Sequence, residues 1–489
     1  MSAVTSCLPL AAILVPVAGL PGVILLGRRP RLRDAFAVLV AAAMFAVAVS
    51  MLPAVLDGRE PSLAIARFLP GVSIALRVDP LGMLFGLVAS SLWIATQVYS
   101  SGYMRGLQEH SQTRFHCFFA LALFSTLGAA FAANLLTLYL FYELLSFATW
   151  PLVAHHQDSE ARVSGRKYLG YIAGGSIGLV LPAMIAVSVL AGGLDFAHPG
   201  GIAGKLSPFW TGVLLLAFLY GFAKAALMPL HAWLPAAMVA PTPVSALLHA
   251  VAVVKVGAFS IVRVVTGIFG VDLLANLDLG WLITLIAGAT MITASLIALT
   301  QDGLKRRLAF STIGQLAYIV LGVGMLDFLG VMGGSLHIAT HAAGKITLFF
   351  CAGAIYVATG EKQISRMAGI GKRMPWTMTA FFLGSLSIIG IPPTGGFLSK
   401  WLLLSGALQA GSWLPAGVLL LSSLLGAAYF LPITYQAFFA KPVRPDFAEG
   451  VREAPAACLV PLLITAVLSV VLFFYPDPLY TLARMAAGG

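Results

Sequence analysis

The stretch LAFLYGFAKAALMPLHAWLP, residues 216–235, is apolar almost throughout, yet it holds one lysine, Lys224. Pro229 follows five residues later and Pro235 soon after. A full charge inside an apolar run, beside residues that break helices, demands an explanation from the rest of the chain. The composition sets the frame. Of 489 residues, 60% are hydrophobic and 10% charged, against about 25% charged in an ordinary soluble domain. Mean hydropathy is +0.95. Too little polar surface is available for a water-soluble protein of this size, so an all-α polytopic membrane protein is expected.

Apolar runs long enough to span a bilayer, about 20 residues, fall in fourteen places: 8–27, 35–56, 80–103, 115–133, 135–155, 168–192, 209–230, 243–267, 277–300, 307–326, 328–359, 376–408, 412–440 and 456–480. The first lacks a basic segment before it, so it reads as a span and not as a signal peptide. Loops after odd-numbered spans carry 19 of the 29 basic residues, from Arg28 to Arg452. The opposite loops carry six: Arg59, Arg67, Arg77, Lys205, Arg263 and Arg484. The positive-inside rule makes the odd loops cytoplasmic and puts both termini outside. The net charge of +11 is thus a topology signal, and no nucleic-acid partner is expected. A bacterial or archaeal cell membrane is the expected location.

Four basic residues remain, and all sit inside expected spans: Lys224, Lys255, Lys345 and Lys400. The acidic residue placed well inside a span is Glu143, in LYLFYELLSFATWPL, residues 138–152. Insertion scales put the cost of a basic group at mid-bilayer at about 2.5–3.5 kcal/mol. The chain has 10 lysines and 19 arginines, and four lysines but no arginine are expected in the membrane. Helix glue or an anion site would favour arginine. A group that must release a proton cannot be arginine, whereas burial makes lysine easier to deprotonate and a nearby carboxylate reverses that. One carboxylate and four lysines therefore read as a proton-handling set.

His337, His341 and Lys345, in SLHIATHAAGKITLFF (335–350), share one helical face at i, i+4 and i+8. Histidine shuttles protons near neutrality. A zinc site is not expected there, since the acid of HExxH is missing. His249 lies six residues before Lys255 and is a further relay candidate. The cysteines at 7, 117, 351 and 458 are too scattered for a cluster or haem site; no metal, cofactor or catalytic chemistry is expected in this chain. Pro392 and Pro393 precede Lys400 as Pro229 follows Lys224. Both segments are expected to be broken helices, with freed backbone groups facing a cavity or other protein. Transporters place ion sites at such breaks.

The two breaks suggest one integral domain, 1–489, built from N-terminal helices (1–110), a repeat of five helices (111–270), an inverted second repeat (271–442), and a last helix with a short tail (443–489). Glu143 has no acidic counterpart in the second unit, where Gln315 stands.

The stretch AKAALMPLHAWLPAAMVAPTPVSALLHAVAVVKVG, residues 223–257, resembles the signature of the antiporter-like subunits shared by respiratory complex I, membrane-bound hydrogenases and Mrp-type sodium/proton antiporters. LYLFYELLSF (138–147), VDPLGMLFGLVASSLWIATQVYSSGYM (78–104), QDGLKRRLAFSTIGQLAYI (301–319), HAAGKITLFFCAGAI (341–355) and GIPPTGGFLSKW (390–401) are similar to its other motifs. The resemblance covers about residues 76–440. It implies fourteen helices, two inverted five-helix repeats, and discontinuous seventh and twelfth helices. It also implies a hydrated axis at mid-membrane carrying protons. Glu143 and Lys224 become the pair of a first half-channel, and Lys255 with His249 the connection. Lys345, His337 and His341 form a second half-channel, with Lys400 at its exit, where some relatives carry glutamate. The chain looks closest to the D-type subunit of Mrp antiporters, implying Na+/H+ antiport beside homologous membrane subunits, with Na+ or K+ as the second ion. A redox-driven complex of the NADH:quinone oxidoreductase or hydrogenase type is the alternative.

Overall fold

An apolar chain hides its backbone polar groups inside helices, and the computed structural model is helical nearly throughout. It describes residues 2–69 and 72–488, without the side chains of Leu69, Leu248, His249 and Ala448. Among the described residues, eleven helices are long and apolar enough to cross a membrane, and Pro208–Gly221 and Pro375–Ile389 are shorter apolar helices. Large apolar side chains point outward, including Leu25, Val189, Trp413 and Phe439 at 76–83% exposure. An exterior this apolar suits lipid and not water.

Helix starts follow ordinary capping chemistry. Asp79 accepts from Gly82 N at 2.8 Å with Pro80 at the first position, opening Pro80–Gly106. Asn134 opens Leu135–Val153 through Thr137 N. Asp327 opens Phe328–Thr359, which ends at Gly360 with φ +73°. That last helix has 32 residues. It is mostly buried, whereas most of the peripheral segment Leu8–Arg28 is not. It packs against Leu304–Gly324, Pro375–Ile389, Gly395–Gln409 and Ala456–Phe474.

One element was not expected from the sequence. Ser2–Thr5 pairs in parallel with Arg59–Leu69, which pairs antiparallel with Val72–Arg77. This small sheet caps the end of the bundle opposite the basic loops. It is tied down by Asn134 Nδ2 donating to Ser73 O at 2.9 Å and by Arg77 donating to Asp195 at 3.0 Å. At the same end, Arg263 forms a two-pronged pair with Asp79, and the two side chains are only 7% and 18% exposed. Removing one partner strands a charge in a poorly hydrated place. Arg263→Ala should therefore lose about 3–5 kcal/mol of stability, read as a lower thermal-unfolding temperature in detergent. At the basic end, Asp34 gathers Arg33, Arg105 and His116 and so joins three helices.

The expected spans 209–230 and 376–408 are both interrupted. The first is helical only over Pro208–Gly221; the second divides into Pro375–Ile389 and Gly395–Gln409. Pro229 lies in the first interruption, and Pro392 and Pro393 in the second. The first break starts at Phe222, before Lys224, so the lysine sits in the break itself rather than ahead of it. The span expected over 243–267 is also uneven, with Ala252 at φ −109°, ψ −82° between Leu247–Val251 and Val253–Val264.

Candidate functional site

Where the helix ends at Gly221, the chain makes one tight turn, Ala223–Ala225, and Ala226 turns left-handed at φ +55°. Pro229 then offers no N–H to resume a helix. The freed groups find side chains: Trp233 Nε1 donates to Ala223 O at 2.9 Å, and Met228 N donates to Thr290 Oγ1 at 3.2 Å. Lys224 N donates to the Tyr142 hydroxyl at 3.1 Å. The fully buried Lys224 ammonium donates to the Tyr142 carbonyl and to Ser146 Oγ at 2.8 Å, and lies 3.3 Å from the Tyr142 ring centroid.

Glu143 is the next residue on that helix. It does not touch Lys224: among the described residues no oxygen of Glu143 lies within 4.0 Å of a basic nitrogen, and both oxygens are buried without a hydrogen-bond partner. An unpartnered buried carboxylate is costly. Contact with Lys224 would relieve that cost.

The helix bearing Lys255 lies directly on this break. A Cβ on Gly257 would stand 2.2 Å from Ala225 N and 2.4 Å from the Lys224 carbonyl carbon, so only glycine permits the approach. Lys255 Nζ is 2.7 Å from His341 Nδ1. The His341 and His337 rings are 5.6 Å apart and nearly parallel, and His341 Nε2 has no partner among the described residues. His337 Nε2 meets Gln315 Oε1 at 3.1 Å and its Nδ1 meets Ser399 Oγ at 2.9 Å. The Tyr318 ring stacks on His337 at 5.3 Å, and its hydroxyl lies 3.4 Å from Lys400 Nζ. Lys400 also donates to Ile388 O, Ile389 O and Ser423 Oγ at 2.8–3.1 Å. Lys345 turns the other way, donating to Ser311 Oγ at 2.8 Å.

Each intramembrane lysine thus rests on neutral carbonyls, hydroxyls or an imidazole, and none forms an ion pair among the described residues. Such acceptors hold an ammonium without trapping its proton, which a carboxylate contact would do. Lys255, His341, His337 and Lys400 form one connected row; Glu143 and Lys224 adjoin it through Gly257; Lys345 branches from it. The side chain of His249 lies outside the described residues.

Lys400 owes its carbonyl ligands to the second break. Gly396 lies so close to Ser387 that an added Cβ would stand 1.8 Å from its carbonyl oxygen. Gly396→Ala should prise the two half-helices apart, an overpacking cost of at least about 1–3 kcal/mol. A lower unfolding temperature together with reduced transport checks this.

The sequence does not single out Tyr142, Ser146, Ser311, Tyr318, Ser399 or Ser423. It also misses a cavity of about 880 Å³ at the basic end, lined by Glu109, His156, His231, Lys305, Phe310 and Lys362 among others. That cavity reaches His231 and Ala232 of the first break.

The family described as NADH:quinone oxidoreductase/Mrp antiporter, transmembrane, matches residues 132–426, which hold Glu143 and all four buried lysines. The chain belongs to this family. NADH-quinone oxidoreductase subunit N of Desulforudis audaxviator is 35% identical over 450 residues, 88% of each chain. Hydrogenase-4 component B of Escherichia coli is 32% identical over 83% of this chain and 64% of its own length. Na+/H+ antiporter subunit A1 of Staphylococcus haemolyticus is 31% identical over 83% of this chain. This chain spans about half of that antiporter subunit, 53%.

Among solved structures, a chain of the Mrp complex from Dietzia shares the fold at TM-score 0.87 and 23% identity, over 99% of this chain and 97% of that one. A chain of the membrane-bound sulfane sulfur reductase, an archaeal respiratory membrane complex, does so at 0.88 and 26%, with the same coverage. This NADH:quinone oxidoreductase/Mrp antiporter family member is therefore an integral membrane protein of antiporter-like fold.

Proposed function

We propose that this chain carries protons across the membrane along the row Glu143, Lys224, Lys255, His341, His337 and Lys400, with Lys345 and His249 as side members, inside a multisubunit membrane complex. One observation carries the reading: titratable nitrogens follow one another through the buried centre of the bundle, none of them in an ion pair among the described residues. The basic-end cavity supplies water access to the first break. By the distribution of arginine and lysine that end is cytoplasmic, both termini face outward, and the membrane is the cell membrane. The halves 111–270 and 271–442 act as inverted repeats around the row. Homologous membrane subunits cover its sides.

Two driving forces are each favoured by an observation. Monovalent cation/proton antiport, with Na+ or K+ exchanged as in an Mrp-type D subunit, is supported by the relative named Na+/H+ antiporter subunit A1, 31% identical over 83% of this chain. A redox-driven complex is supported by the relative matched over 88% of both lengths, NADH-quinone oxidoreductase subunit N. Purification from native membranes in mild detergent separates them. Small hydrophobic partners without redox centres mean an antiporter. Partners holding flavin, iron–sulfur clusters or nickel mean a redox-driven pump.

A further inference from the structure

A group of histidines outside the buried row has no part in the function proposed above. Glu109 and His110 sit in the turn between helices Pro80–Gly106 and Gln112–Ala130, where Gln108 and Ser111 both have positive φ. His155 and His156 follow the helix Leu135–Val153 at the same end. Arg114 donates to His155 O at 3.1 Å and ties the two loops together. Glu109 Oε2 is the hub: His156 Nδ1 lies 3.6 Å from it, and His110 Nδ1 and His155 Nε2 each 4.0 Å.

We propose that Glu109, His110 and His156, backed by His155, bind a borderline divalent cation of the Zn2+ class at the mouth of the basic-end cavity. The ligand atoms of the first three lie within 4.8 Å of one another. Zinc bonds to imidazole and carboxylate of about 2.0–2.2 Å set neighbouring ligand atoms of a tetrahedron roughly 3.3–3.6 Å apart. Side-chain shifts below about 1 Å would close the set. A second observation points the same way. His155 is 1% exposed, and its Nε2, turned to Glu109, has no hydrogen-bond partner among the described residues. A buried imidazole nitrogen without a partner costs stability, and a metal ion offers it a bond. Imidazole with one carboxylate suits zinc, copper or nickel better than magnesium or calcium, which take oxygen ligands.

Glu109 and His156 also line the cavity, whose wall carries Asp158, Glu160 and Glu361 as well as Lys167, Lys305, Arg306 and Lys362, so access to the site is from a wall of mixed charge. The sequence hides this site because its donors lie 46 positions apart and include no regular His/Cys spacing.

The test is calorimetric titration of Zn2+ into the metal-stripped native complex. One saturable site per chain is expected. His110→Ala and His156→Ala should each weaken it about 10–100-fold or more, while His198→Ala, an exposed histidine elsewhere, should not. X-ray absorption at the zinc edge should show imidazole ligands at about 2.0–2.1 Å. Absence of a saturable site, or unchanged affinity in both cluster variants, would overturn the proposal. The two cluster variants stand independently, so failure of one to assemble leaves the other to decide.

Discussion

Lys224→Arg is expected to assemble with its partners and to stop translocating protons, with flux down at least about a hundredfold, the scale of a lost proton-transfer group. Arginine keeps the positive charge but does not release its proton. If Lys224 only held helices together, arginine would serve as well. The geometry sharpens the expectation. The ammonium rests on the Tyr142 carbonyl and Ser146 Oγ, and the turn beside it is fixed by Tyr142 and Trp233. A loss of flux in an assembled complex therefore isolates the proton. Flux in vesicles, with subunit content checked by gel, is the measurement.

The second large effect needs no change in any titratable group. Gly257→Ala is expected to reduce flux about tenfold or more while leaving Glu143 and every lysine chemically unchanged. Its new Cβ would meet Ala225 N at 2.2 Å and the Lys224 carbonyl carbon at 2.4 Å, and both are backbone atoms that cannot swing aside. The helix carrying Lys255 must retreat from the break carrying Lys224. Misplacement by about 1 Å can cost about a hundredfold where groups must be held in reacting geometry. Overpacking should also lower stability by about 1–3 kcal/mol. Native flux in this variant would show that proton passage does not depend on contact between the two segments.

Much of the fold was legible because apolar length is a one-dimensional signal. The lysines stood out for the same reason: a cation in an apolar run has no ordinary excuse. Their partners did not. Serine and threonine are common in these helices, and many simply bond the carbonyl four residues back, as Ser90 and Ser100 do here. Nothing local distinguishes these from Ser146, Ser311 and Ser399, which meet distant side chains. The Glu143–Lys224 relation was read as a pair, and the structure sets them near but apart, because Lys224 takes the Tyr142 carbonyl instead. Pro229 flagged the first break, yet the helix yields seven residues earlier, at Phe222, where the turn is stabilised by Trp233 and Tyr142. The small sheet was missed because Ser2–Thr5, only four residues long, pairs with Arg59–Leu69 far away in sequence. The basic-end cavity is assembled from several separate segments, so no single stretch announces it.

The proposed proton path runs through the buried row. Lys255 is its middle link, fully buried and 2.7 Å from His341. The most direct measurement is proton movement by the purified complex in sealed proteoliposomes, native against Lys255→Met, with a pH-sensitive dye inside. The row predicts that the variant complex, equal in subunit content, moves protons at background rate. Native-rate proton movement by that variant would contradict it.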